Sequence, residues 1–81
     1  MLYSEQIRAA RALLHWRQED LAQQSKIGLA TIQRIEQRDG LVMGNVSTLM
    51  RIQGALEAAG VRFLTSDHGG GPGVRLSRVP T

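Results

Sequence analysis

The stretch from Gln18 to Arg38 limits what this chain can fold into more than any other part of it. Leu21, Ala22 and Ser25 fall on one face of a helix that begins near Gln18, and Lys26-Ile27-Gly28 reads as a short turn. Leu29, Ile32, Ile35 and Glu36 then recur at helical spacing to about Arg38, which is a second inward stripe. A helix precedes this pair. Ser4 is placed to cap it, with Glu5 in the first turn, where the helix dipole favours an acid. Ile7, Ala10, Arg11 and Leu14 form its stripe, and His15-Trp16-Arg17 breaks it.

Asp39-Gly40 closes the third helix with turn residues. The apolar loop Leu41-Val42-Met43 leads to Asn45, a natural N-cap. A fourth helix carries Val46, Leu49, Ile52, Leu56 and Ala59 at helical spacing, with Gly60 where a helix-ending glycine belongs. The period then changes from helix to strand. Val61, Phe63 and Thr65 alternate with Arg62 and Leu64, and after the turn-rich Ser66–Gly73 run, Val74 and Leu76 alternate with Arg75 and Ser77. That is a β-hairpin with a long glycine-rich turn. The expected organisation is a helical domain over residues 1–60 and a hairpin with its tail over 61–81.

With 81 residues the chain is one domain with a small core, near the limit of independent stability, so a partner subunit is expected. There is no cysteine, which removes disulfide frameworks and thiolate metal sites and suits a reducing compartment. No apolar run is long enough for a membrane span, and the N-terminus has no signal-peptide pattern. The expected location is cytoplasmic and nucleoid-associated, with no membrane partner. The net charge of +3 mildly favours a polyanionic partner, through placement of charge and not through bulk. His15 and His68 lie far apart with no ligand-spaced partner, so no metal and no cofactor is expected. The Gly69-Gly70-Gly71-Pro72-Gly73 run lacks the Gly-Lys-Ser/Thr ending of a phosphate loop and reads as a flexible turn. No Ser/His/Asp set or carboxylate pair suggests catalysis, and the chain is read as a non-enzyme.

Gln18-x-x-Leu21-Ala22-x-x-Ser25-x-Ile27, followed by Ile32-x-x-Ile35-Glu36, resembles the Cro/repressor-type (XRE-like) helix-turn-helix family over about residues 4–60. The resemblance implies a mainly α fold, a compact four-helix, lambda-repressor-like DNA-binding domain with the C-terminal β-hairpin appended. It implies sequence-specific binding of double-stranded DNA by a homodimer on a palindromic operator, and transcriptional regulation, mainly repression, without a small-molecule effector. The third helix, at about 28–38, would enter the major groove. Gly28, Leu29, Ala30, Gln33 and Arg34 match the family's base-facing positions. Among them Gln33 suits adenine and Arg34 suits guanine, while Leu29, Ala30 and Thr31 are candidates for thymine-methyl contact. Gln18 matches the family's backbone-positioning glutamine, and Arg17, Arg38 and Asn45 flank the same surface as phosphate contacts. The sequence departs from the family at three places. Lys26 stands where glycine is usual, Arg17 where a capping Ser or Thr is usual, and Gly28 replaces the cap of the third helix.

Arg11 and Glu36 each interrupt an apolar stripe, where an unpaired charge would be expensive. Pairing across the first and third helices resolves both, and the family resemblance places an Arg–Glu pair there. Trp16 reads as core packing. For the dimer, the hairpin is the expected element, through Val61, Phe63, Leu64, Val74 and Leu76, with the Leu41-Val42-Met43 loop as the competing contact. Two other functional readings stand beside gene regulation. One is an antitoxin that binds a toxin and autoregulates; the other is a scaffold without DNA binding, suggested by the apolar Leu29-Ala30 start.

Overall fold

The computed structural model describes residues 1–80. Four helices come first: α1 (Ser4–Leu14), α2 (Gln18–Ser25), α3 (Leu29–Gln37) and α4 (Val46–Ala58). Two antiparallel strands follow, β1 (Val61–Leu64) and β2 (Gly73–Leu76). This is the mainly helical, four-helix-plus-hairpin architecture that the periodicities predict.

The apolar stripes meet in one core. Ile7 and Ala10 of α1, Leu21 of α2, Ile32 of α3, Ile52 and Leu56 of α4 and Val61 of β1 are buried together with Leu2 and Val42. Burying a large aliphatic side chain is worth roughly 1.5–3 kcal/mol, and these contacts decide how the short helices sit. Val46 and Ala59 differ from expectation, since both are exposed. The core face of α4 is narrower than the sequence stripe.

The start of α1 also corrects the sequence reading. Tyr3 is the cap residue, and its amide donates to Gln6 Oε1 at 2.9 Å. Ser4 lies inside the helix and is fully buried, donating to the Ile35 carbonyl at 3.2 Å. The segment before α1 pairs with the loop after α3. Val42 donates to the Leu2 carbonyl at 2.8 Å and Ser4 to the Gly40 carbonyl at 2.9 Å. The Glu5 carboxylate accepts from the Gly40 amide at 2.9 and 3.2 Å.

In the hairpin Val61 faces Leu76 and Phe63 faces Val74, which puts the four apolar side chains on one face. That face covers α1 and α4. Gln6, buried in α1, donates from Nε2 to the carbonyls of Leu64 at 3.3 Å and Gly73 at 3.0 Å. The hairpin is thereby tied to the helical body. No helix among the described residues is long and apolar enough to cross a membrane.

Candidate nucleic-acid interface

Two short helices joined by three residues form one surface of the molecule. The turn between them is made by Lys26, whose backbone is left-handed at φ 59 and ψ 35. Ile27 reaches back to the Ala22 carbonyl at 3.2 Å and packs against the core. This is the usual way to end a helix, but with a residue that carries a Cβ where glycine is favoured. The same geometry recurs at the end of α1, where His15 is left-handed at φ 57 and Trp16 donates to Arg11 O at 2.9 Å. Trp16 is half-buried against the core, as the sequence suggests.

Arg17 supplies no oxygen to cap α2. The connection runs the other way, because its amide donates to Asp20 Oδ2 at 2.8 Å. That hydrogen bond holds the Asp20 carboxyl below its ordinary pKa, with the nearby Arg17 charge adding to the effect.

Arg11 and Glu36 are joined as expected. Arg11 donates from Nε to Glu36 Oε2 at 2.7 Å and from Nη2 to Oε1 at 2.5 Å. A third donor, Nη1, meets the Trp16 carbonyl at 3.0 Å. The Glu36 side chain is only 3% exposed and that of Arg11 19%, so the pair is largely out of water. Gln18 Nε2 adds a longer contact to Glu36 Oε1 at 3.3 Å. One carboxylate therefore connects α1, α2 and α3.

A further guanidinium works on α3 that the sequence reading overlooked. Arg8 donates to Ser4 Oγ at 2.9 Å, to the Glu36 carbonyl at 2.8 Å and to Asp39 Oδ1 at 2.7 Å. A cation is favoured beside these C-terminal carbonyls. Its signal was present, since Ser4, Arg8 and Arg11 share one face of α1 at i, i+4 and i+7.

Held in this way, α3 turns Ala30, Gln33 and Arg34 to solvent, with Gly28 exposed just before it and Arg38 just after it. Leu29 and Thr31 are half-buried. Gln33 and Gln18 line one shallow concavity with Arg8 and Gln37. Arg34 and Arg38 line another, with Asp39, Leu41 and Met43. Neither Arg34 nor Arg38 makes a salt bridge among the described residues. Arg17 lies at the edge of α2, its side chain 75% exposed and 3.6 Å from Asp20. Asn45 is exposed but its Oδ1 is used in capping α4, accepting from Ser47 at 2.8 Å.

The five hairpin residues expected to pair two chains differ in how far they are covered within the chain. Val61 is buried, and Phe63 and Val74 pack on the protomer's own core. Leu76 is half-buried, and Leu64 alone of the five is classed as exposed. The chain's own core thus covers Val61 fully and Phe63 and Val74 in part. Among the described residues no group of three His, Cys, Asp or Glu side chains is gathered to hold a metal. No protein-family model matches the chain, and no curated protein matches it.

Proposed function

We propose that this protein binds double-stranded DNA in a sequence-dependent way as a homodimer, with α3 in the major groove, and regulates transcription by occupying its site. The observation that carries the reading is the contrast between the two sides of α3. Its inner side is fixed by the Arg11–Glu36 fork and by Arg8. Its outer side offers Gln33 and Arg34, two side chains able to make paired hydrogen bonds to base edges, and Arg34 has no salt-bridge partner among the described residues. A rigid mount and free donors are what base readout requires.

Around this helix the remaining groups suit phosphates. Gln18 stands at the start of α2, where backbone amides attract an anion, and one of its side-chain hydrogens is left over from the contact with Glu36. Arg17 just before α2, Lys26 between α2 and α3, and Arg38 just after α3 are exposed cations flanking the two helices. Such contacts position the protein without reading sequence.

Selection of bound duplexes from a random pool tests this reading. Enrichment of an inverted repeat with half-sites about 34 Å apart, one DNA turn, supports it. Recovery of unenriched DNA, or none, refutes it.

A further inference from the structure

Four of the eight exposed large apolar side chains among the described residues fall between residues 41 and 50, the others being Met1, Leu13, Leu64 and Val79. Leu41, Met43, Val46 and Met50 are 40%, 81%, 69% and 69% exposed, within one short stretch of sequence. Patches of this kind on a small protein mark contact surfaces. Along α4, Val46, Met50, Gly54 and Glu57 follow at i, i+4, i+8 and i+11 and share one side of the helix. That side is turned away from Ile52 and Leu56, which are buried. At Gly54 an added Cβ would meet nothing within 4 Å, so the stripe has a hollow in it. A glycine inside a helix is destabilising, and nothing among the described residues fills the space.

We propose that this stripe is the contact between two copies of the chain, packed as an antiparallel pair of α4 helices about a two-fold axis. The stripe fits itself. With the axis crossing α4 on its outer side, at the height of residue 52 along the helix, Met50 of each copy sits over Gly54 of the other, a flexible apolar knob in an open hollow. The same register sets Glu57 beside the start of the other copy's α4, at Ser47, where the helix dipole favours a carboxylate. Among the described residues the Glu57 carboxylate has only a long contact from Gln53, at 3.4 Å. Knob with hollow and acid with positive helix end are both centred on one point, the signature of an isologous interface. The hairpin, by contrast, already turns Val61, Phe63 and Val74 to the core of its own chain. The proposal gives the homodimer reading above its surface, and it is tested without DNA so that the two can fail separately.

The experiment is sedimentation equilibrium on the full chain and on Met50→Glu, Gly54→Gln and Leu64→Lys, with helix content followed by circular dichroism. The chain is expected to dimerise. Met50→Glu and Gly54→Gln should each weaken the dimer at least about tenfold, equivalent to about 1.4 kcal/mol, with unchanged helix content, while Leu64→Lys leaves it intact. Gly54→Gln is the sharper variant, because it improves helix propensity while filling the hollow. A chain that stays monomeric at about 0.1 mM, weaker than a specific dimer, overturns the proposal and leaves the stripe to some other protein. So does a dimer that only Leu64→Lys breaks, or one that Gly54→Gln leaves as tight as before.

Discussion

Arg11 and Glu36, one on α1 and one on α3, meet as a two-pronged guanidinium–carboxylate fork at 2.7 and 2.5 Å with the carboxylate 3% exposed. A pair so far from water gains little net stability over apolar residues, yet each charge depends on the other being present. Removing one is therefore far worse than removing both. Glu36→Ala should destabilise the fold by roughly 3–5 kcal/mol, while a double replacement by apolar residues of similar volume should cost much less. Thermal melts of both singles and the double decide this. Additive effects below a kilocalorie would mean that the fork does not fix α3.

Lys26 and His15 close two helices in left-handed backbone, where a Cβ is unfavourable by about 1–2 kcal/mol per residue. Lys26→Gly should raise stability by about 0.5–1 kcal/mol, the steric relief being partly offset by the greater freedom of glycine in the unfolded chain. His15→Gly should do the same. Lys26→Ala is the control and should gain nothing, since alanine retains the Cβ. Equal melting of all these variants would show that neither turn carries strain.

The elements were legible from their periodicity, and the sharpest contact read from sequence rests on two residues that conflict with their own stripes. Arg11 and Glu36 were legible because a charge among apolar neighbours is costly without a partner, and the family resemblance places an Arg–Glu pair there. Lys26 was legible only through the family resemblance, which has glycine at that turn position, where left-handed backbone is easy. His15 gave no such signal, since its turn contains no glycine-like residue and no motif fixes its length. Ser4 misled because serine is a good cap, whereas here its hydroxyl is needed inside, between Arg8 and the Ile35 carbonyl. Gln6 was illegible for a different reason. Its partners, Leu64 and Gly73, lie 58 and 67 residues away, and local pattern carries no information about them. The hairpin's apolar face was visible in the alternation; which surface would cover it was not.

That Gln6 contact makes a prediction of its own. Its amide nitrogen serves two hairpin carbonyls while its oxygen takes the Tyr3 amide. Gln6→Leu keeps the bulk and leaves these part-buried backbone groups without their partner, at a cost below the roughly 1–3 kcal/mol of a fully buried group. Amide exchange in β1 and β2 should speed up more than exchange in α2 and α3. Uniform acceleration through the whole chain would show that the hairpin and helices unfold as one unit.

Asp20 supplies a pH test at the start of α2. Its folded pKa lies below the ordinary value, chiefly through the Arg17 amide. The group therefore stabilises the fold above its unfolded pKa of about 3.9, and the contribution fades as pH falls through the lower folded value. Asp20→Ala should melt lower than the parent protein at neutral pH, with the gap narrowing below about pH 4. A gap that is constant with pH would show that the carboxylate charge plays no part in the cap.

The central claim is that α3 reads base sequence through Arg34, and the most direct measurement is the affinity of Arg34→Ala and Gln18→Ala for a selected operator and for a scrambled duplex at fixed salt. Arg34→Ala should lose about 1–3 kcal/mol on the operator and little on scrambled DNA. Gln18→Ala should weaken both more evenly, as a phosphate contact does. Equal loss on the two duplexes for Arg34→Ala, or no loss on either, would contradict base readout by this helix.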